Sequence, residues 1–168
     1  MFFGDPIKFG VEIFEEGTSP AWLGFGRMCL HLSGNTFGDL NESHCSLWHP
    51  VERIAEVARN LPKLWSLSFE GHTDQELFAF LDAALFSGEI AADAASDEGH
   101  DFLTNTCESF DGEKSFVFCD TNGVVRVVWQ GRDGRICSAH VSKAEFVLVA
   151  DQLSKWFKSL CQHRSAVV

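Results

Sequence analysis

The sequence lacks long hydrophobic runs, and it is poor in basic residues. Its 168 residues contain 13 Lys and Arg against 24 Asp and Glu, which gives a formal net charge of -11 at pH 7. This charge argues against nucleic acid and anionic membrane surfaces as ligands, because both bind basic proteins. No run of about 18 apolar residues is present, so we expect no segment that spans a membrane. The start of the sequence has neither a basic region nor a long apolar stretch, and we therefore expect no signal peptide and a cytoplasmic location.

Tyrosine is also absent, whereas there are sixteen Phe and five Trp. We expect a core rich in Phe, whose ring needs no hydrogen-bond partner when it is buried. The six cysteines are scattered and form no CxxC pair. Because thiols stay reduced in the cytoplasm, we predict six free cysteines that act as small buried apolar side chains.

Catalytic signatures are missing as well: the sequence has no GxSxG, no HExxH and no P-loop. Cys119 and His140 lie on neighbouring predicted strands, and they are the pair that would make the protein a small enzyme. A nucleophile and a base usually need a third group that orients the base, and none is evident here. We therefore interpret both as sheet residues and predict no catalytic residues and no enzymatic activity.

Candidate metal ligands come close together at one place in the sequence. They are His44, Cys45 and His49, with His72 as the candidate fourth zinc ligand. Their spacing matches no zinc module, so we interpret them as part of a polar loop that leads into a helix. The acidic residues from Asp93 to Asp101 do not have the spacing of an EF-hand loop. We therefore predict that the protein needs neither a metal nor a cofactor.

The most unusual feature is an acidic segment, residues 89–113, that contains eight carboxylates and no Lys or Arg. The eight are Glu89, Asp93, Asp97, Glu98, Asp101, Glu108, Asp111 and Glu113. Like charges repel and ions are costly to desolvate, so we expect the segment to face water or a cationic partner. Its first part is small and polar, and we expect it to be mobile. The alternatives are a solvated loop and a docking surface for a basic protein.

Hydrophobic periodicity predicts an α+β fold, in which an antiparallel β-sheet has helices packed on one face. The predicted strands are Ile7–Phe14, Trp22–Leu32, a short strand near Thr36–Phe37, Phe116–Asp120, Val124–Gln130 and Ile136–Val141. Asn122 and Gly123 between two of these strands are typical of a type I′ hairpin. Leu64–Phe69 fits either a short strand or an irregular segment.

Three helices are predicted from caps and apolar spacing. The first has Pro50 in its opening turn and ends at Pro62. The second begins with a Thr73–Glu76 capping box and is capped by Gly88. Its expected buried stripe is Leu77, Phe80, Leu81, Ala84 and Leu85. The third begins with a Ser142–Glu145 capping box and buries Phe146, Val149, Ala150, Leu153, Phe157 and Leu160. We expect residues 1–168 to form one domain, with a frayed tail over residues 162–168.

The opening residues Met1–Pro6 (MFFGDP) are followed at once by an alternating strand. With this opening motif and the strand that follows it, the sequence resembles the bacterial immunity protein family 42. The resemblance continues at Gly26–Leu30 (GRMCL), and it covers the late hairpin and the helix Phe146–Trp156. Members of that family neutralise toxin domains of polymorphic toxins or secretion-system effectors. The resemblance therefore implies a binding protein without catalysis, and it implies no particular toxin-contacting residues.

Charge and resemblance together predict a non-catalytic immunity protein whose partner is a cognate toxin. Many toxins that act inside cells are nucleases with basic clefts, and the eight acidic residues could fill such a cleft in place of phosphates. The alternatives are a small enzyme that uses Cys119 and His140, or an adaptor module in another bacterial complex. A toxin-domain gene immediately upstream would distinguish the first reading from the other two.

Overall fold

The computed structural model of the protein describes residues 1–16, 24–65, 69–87 and 98–165. Within these residues the strands are β1 (Phe2–Asp5), β2 (Phe9–Glu15), β3 (Phe25–Leu32), β4 (Asn35–Phe37), β5 (Cys45–Ser46), β6 (Ser115–Cys119), β7 (Val124–Gln130) and β8 (Ile136–Ser142). The α-helices are α1 (Trp48–Asn60), α2 (Asp74–Asp82) and α3 (Lys143–Ser165). Short 3-10 turns lie at Leu61–Lys63, Glu98–His100 and Glu108–Phe110, and a π-helical turn at Ala83–Ser87 extends α2.

The strands form two antiparallel sheets. The five-stranded sheet has the order β1-β2-β3-β4, and β5 also pairs with β3. The three-stranded sheet has the order β6-β7-β8. The predicted α+β class is therefore confirmed, but the strands are divided between two sheets where one was expected.

The main hydrophobic cluster lies between the two sheets and includes residues of α1 and α3. The rings of Phe9 in β2 and Phe146 in α3 are stacked, with centroids 4.9 Å apart. Phe37 of β4 and Trp129 of β7 connect the two sheets, with centroids 5.9 Å apart. As expected from composition, Phe side chains fill much of this core.

A second cluster lies on the other face of the three-stranded sheet, under α2. Phe78 of α2 and Phe116 of β6 make an edge contact there, with centroids 5.1 Å apart. Because side chains alternate along a strand, β6 sends Phe116 into this cluster and Val117 into the main one. Helices thus cover both faces of the three-stranded sheet. The two clusters share its strands, and the organisation of residues 1–168 as one domain stays a prediction.

The first predicted strand begins later than expected. Ile7 lies in a turn, where its N–H donates to Asp5 Oδ1 at 2.8 Å and its side chain is 75% exposed. This turn joins β2 to β1, an edge strand that the sequence analysis missed. Of the other predictions, Trp22, Gly88 and residues 66–68 lie outside the described residues, as does the end of the tail at 166–168.

The Thr73 capping box is confirmed: Glu76 N–H donates to Thr73 Oγ1 at 3.3 Å, and Thr73 N–H donates to Glu76 Oε2 at 2.8 Å. At Ser142 the side-chain cap is present, because Glu145 N–H donates to Ser142 Oγ at 3.2 Å, but it is the Ser142 hydroxyl that donates back to Glu145 Oε2. The buried stripe of α2 differs by one residue, because Phe78 faces the sheet while Phe80 is 40% exposed. Helix α3 continues to Ser165, so its last turn extends beyond the point at which fraying was expected.

The late hairpin is confirmed, but its turn is of another type. Beyond the Cys119–Val125 pair, the Asp120 N–H donates to the Val124 carbonyl at 2.9 Å, which leaves a loop of three residues, 121–123. Within this loop the Gly123 N–H donates to the Asp120 carbonyl at 3.1 Å. Gly123 has φ +78°, whereas Asn122 is not among the described residues with positive φ. A type I′ turn needs positive φ at both central residues, so this loop is a type I turn closed by a left-handed glycine.

Candidate functional site

The eight acidic residues do not share one environment. Glu89, Asp93 and Asp97 lie outside the described residues, as does the side chain of Glu98. Of the other four, Glu108 and Asp111 are exposed, whereas Asp101 is partly buried and Glu113 is 5% exposed. The expectation that the acids face solvent therefore holds for Glu108 and Asp111, and it is wrong for Glu113.

Glu113 is buried because it takes part in an ion-pair cluster between three loops. Its Oε1 accepts from Arg132 Nε at 3.1 Å, and Arg132 also pairs with Asp39. Burial raises the pKa of the Glu113 carboxyl, against a hydrogen bond from Gly38 and the charge of Arg132. The cluster links the β4 end of one sheet to the β7–β8 turn of the other, so Glu113 has a structural role.

Asp101 is held against α1 by its backbone. The Asp101 carbonyl accepts from Arg53 Nε at 2.9 Å, and the neighbouring Gly99 carbonyl accepts from Arg53 Nη2 at 3.0 Å. Burial raises the pKa of the Asp101 carboxyl, although a Thr104 hydrogen bond and the Arg53 charge oppose the rise. Asp101 was predicted to be exposed, and the structure corrects this, because the residue also bridges to β6 at Phe116.

Glu108 and Asp111 extend from a turn that packs beside another acidic loop. The Asp39 N–H donates to the Ser109 carbonyl at 2.8 Å, and Cys45 Sγ contacts both Ser109 Oγ and the Glu42 carbonyl. This contact places side by side the two loops that carry four acidic residues. We call Asp39, Glu42, Glu108 and Asp111 the acidic rim.

The acidic rim has little basic compensation. Asp39 pairs with Arg132, but within the described part of the chain Glu42, Glu108 and Asp111 have no basic side chain within 4.0 Å. A backbone hydrogen bond from Asn41 and the nearby Arg132 hold the pKa of Asp39 below its ordinary value, against its burial. Asp39 is therefore held in its ionised form, and the four carboxylates together form a surface that attracts cations.

The Cys119–His140 pair is not assembled. Strand β7 lies between their strands β6 and β8, so the prediction that these strands are neighbours is wrong. Cys119 points into the main cluster, while His140 Nε2 lies on the opposite face, 3.6 Å from Asp74 Oδ2. Burial raises the pKa of the Cys119 thiol, which disfavours the reactive thiolate. These two residues do not form a catalytic pair.

Asp74 is instead the centre of a polar contact between α2 and the three-stranded sheet. It accepts from Arg126 Nε at 3.0 Å and pairs with Arg126 Nη2 as well. Burial raises the pKa of the Asp74 carboxyl. Hydrogen bonds from Ser138 and Arg126 lower it by more than burial raises it, so the net shift is downward. This network orients the first turn of α2 on the sheet.

The candidate zinc ligands, which the sequence analysis interpreted as part of a polar loop, are not brought together as a site. His44 Nδ1 pairs with Glu16 at 2.9 Å, while Cys45 is buried against Ser109. Neither belongs to the group of metal-ligating atoms that the described residues bring together.

That group consists of Glu12, Cys29 and His31, which the sequence analysis did not identify. His31 Nε2 lies 2.8 Å from Glu12 Oε2 and 3.6 Å from Cys29 Sγ. The signal was present as Cys29-Leu30-His31, because residues two apart on a strand share a face. Its third member is on β2, where only the strand register reveals that Glu12 is opposite Cys29.

The three groups are not arranged as a catalytic triad. One nitrogen, His31 Nε2, faces both the thiol and the carboxylate. In a triad the base uses one ring nitrogen for the nucleophile and the other for the orienting acid. Burial and the Glu12 charge also raise the pKa of the Cys29 thiol to about 12, so the thiol is not activated.

An open groove of about 440 Å³ lies between α1 and α3. Trp48 is 54% exposed at this groove, and its ring makes an edge contact with the Phe157 ring, with centroids 5.6 Å apart. Glu52 and Arg59, which pair at 3.2 Å, lie on the α1 side, and Lys158 lies on the α3 side. The groove thus offers an apolar floor between charged walls.

Comparison with known proteins identifies one family. Residues 1–156 match the sequence profile of a family described as Immunity protein 42. The fold is similar to that of the crystal structure of CdiI from Burkholderia dolosa AUO158, with a TM-score of 0.68 and 15% sequence identity. The alignment covers 92% of this chain and 99% of that chain. No curated protein matches the sequence significantly. Among the described residues, no helix is both long and apolar enough to cross a membrane.

Proposed function

The chain belongs to the immunity protein 42 family, and from this premise we propose that it binds a cognate bacterial toxin domain and neutralises it without catalysis. The family match over residues 1–156 is the observation that carries the proposal. The geometry of the Cys119–His140 pair removes the specific support for the alternative enzyme reading. An inhibitor of this kind acts by occupying the toxin, so it needs a complementary surface more than a reactive group.

We propose that the acidic residues of segment 89–113 contribute to that surface. In the described part of the chain, Glu108 and Asp111 are the two members that stay exposed, and the acidic rim adds Asp39 and Glu42 to them. Asp101 and Glu113 are proposed to fix the position of this surface. Their contacts to Arg53 and Arg132 anchor the two ends of the stretch 101–113 on the rest of the fold. Glu89, Asp93, Asp97 and Glu98 are proposed to extend the same surface.

Such a surface fits a toxin with a basic cleft, for example a nuclease. A nuclease binds phosphates through Lys and Arg side chains, and carboxylates can occupy the same positions. Charges of one sign mainly accelerate the encounter with a partner of opposite charge, and salt screens this effect. The acidic surface therefore predicts fast, salt-sensitive association with the toxin.

The experiment measures association of the purified protein with its cognate toxin domain, which is sought first in the gene immediately upstream. Reversal of the two exposed acids (E108K with D111K) is expected to slow association by about tenfold or more at low salt. The difference should shrink as ionic strength rises. A second variant, D93K with D97K, tests the part of the segment that precedes the rim.

The matched control reverses two exposed acids on other elements, E70K with D151K, because it changes the net charge equally. A similar slowing in the control would mean that net charge, not the acidic rim, governs association. Wild-type rates in both segment variants would refute the acidic surface but leave the immunity function standing. The immunity function itself fails if the wild-type protein neither binds the toxin nor protects cells that express it.

A further inference from the structure

The outer face of the five-stranded sheet brings together three different metal-binding groups. On β2 and β3, inward side chains such as Val11 and Leu30 pack in the main cluster, so Glu12, Cys29 and His31 lie on the opposite face. Their carboxylate, thiol and imidazole ligand atoms all lie within 4.8 Å of one another. The arrangement depends only on strand register, and none of the three residues belongs to the acidic rim.

We propose that Glu12, Cys29 and His31 form a binding site for a zinc-like divalent cation, with water as the fourth ligand. Sulfur, nitrogen and carboxylate oxygen are the three ligand types that zinc accepts in proteins. A thiolate disfavours Mg²⁺ and Ca²⁺, which take oxygen ligands. Three protein ligands leave one position of a tetrahedral site open to solvent.

The distances between ligand atoms fit tetrahedral coordination. Bond lengths of about 2.3 Å to sulfur and about 2.0 Å to nitrogen place these two atoms about 3.5 Å apart around zinc. The distance from Cys29 Sγ to His31 Nε2 is 3.6 Å. The carboxylate must move about 0.5 Å away from the imidazole to reach the corresponding spacing from its present 2.8 Å. The Glu12 side chain is 27% exposed and has room to make this movement.

The surroundings give the site a closed base and an open entrance. Cys29 is fully buried at the base, while the His31 side chain is 21% exposed at the entrance. The ring of Phe2 lies beside the imidazole, with centroids 5.3 Å apart, and it supplies an apolar wall. On binding, the Cys29 thiol would release its proton to water, and His31 would carry its remaining proton on Nδ1 so that the Nε2 lone pair faces the metal.

Cobalt is the probe, because Co²⁺ replaces zinc and a cobalt–thiolate bond absorbs strongly in the near ultraviolet. The chelator-treated, reduced protein is titrated with Co²⁺ without oxygen. We expect a thiolate-to-cobalt band that saturates at one equivalent and that Zn²⁺, but not Mg²⁺, abolishes. C29S should remove the band, and H31N should weaken binding by about tenfold or more.

C119S is the matched control, because Cys119 is also a buried strand cysteine but does not belong to the group of three metal-ligating residues found among the described residues. It should retain the band and the affinity of the wild type. Circular dichroism of each variant checks that the fold is intact, and E12Q tests the third ligand independently of Cys29. Absence of a saturable band in the folded wild type would overturn the proposal. A band that survives in C29S or is lost in folded C119S would also overturn it.

Discussion

Asp74 and Glu113 are both partly withdrawn from water, yet their pKa values move in opposite directions. In each case burial raises the pKa of the carboxyl. At Asp74 the hydrogen bonds from Ser138 and Arg126 lower it by more than burial raises it. At Glu113 the backbone bond from Gly38 and the charge of Arg132 do not compensate, and Asp39 opposes ionisation. The number and kind of donors thus decide whether a buried carboxylate stabilises the fold at neutral pH.

The substitution D74N is expected to lower the free energy of unfolding by about 1–2 kcal/mol at pH 7, because it weakens charged hydrogen bonds that are partly exposed to solvent. The folded-state pKa of Asp74 lies below its ordinary value of 3.8. The stabilisation is therefore fully present above that value and is lost as the pH falls through the lower, folded-state pKa. Urea unfolding of wild type and D74N at several pH values measures this difference.

The control for D74N is D133N, which removes an exposed carboxylate from the β7–β8 turn. Its effect on stability should be clearly smaller than that of D74N at neutral pH. If the difference between wild type and D74N were equally large at neutral and strongly acidic pH, the assignment of this stability to the ionised Asp74 would be wrong.

At the scale of elements, the sequence best predicted the features that depend on residues close together in the chain. The helix caps at Thr73 and Ser142 depend on residues three apart, and both were placed correctly. The pairing of strands into two sheets depends on contacts between distant segments, and periodicity does not carry that information. The turn at Asn122 was misassigned for a related reason, because the Asp120 side chain accepts from the N–H groups of Asn122 and Val124 and favours a longer loop.

The observed turn makes a specific prediction about Asn122 and Gly123. G123A should cost about 1 kcal/mol, because Gly123 has φ +78° and an alanine is strained there. N122A should cost much less, since no positive φ is required at that position. Chemical denaturation of the two variants measures both effects. Equal losses would indicate the type I′ turn that the sequence first suggested.

At the scale of the whole molecule, the candidate site was predicted in part. The acidic segment is evident from composition alone. Its members Glu108 and Asp111 are exposed, as expected. The burial of Glu113 was not foreseen, because its partner Arg132 lies 19 residues away on a different turn. The Glu12–Cys29–His31 group was missed because strand register, not spacing, brings Glu12 to the other two.

The six cysteines give a test of the whole fold. All are unpaired in the structure, and Cys137 and Cys161 are the two that are not fully buried. Thiol titration of freshly purified, denatured protein should therefore count six thiols per chain. In the native protein these two should react first, and the four buried thiols should react slowly. A count of two or fewer after denaturation would mean that the cysteines form disulfides.

Helix α3 follows β8 without an intervening loop, and it covers strands from the opposite end of the chain. Glu145 reaches Lys8, 137 residues away, and the Phe146 ring stacks on Phe9. During synthesis, β1 and β2 therefore leave the ribosome long before the helix that buries their inner face. Contacts between such distant segments form slowly, and the uncovered sheet meanwhile presents its apolar side to other proteins. A newly made chain would thus complete its main core, and with it the support of any toxin-binding surface, only when α3 docks on β1 and β2.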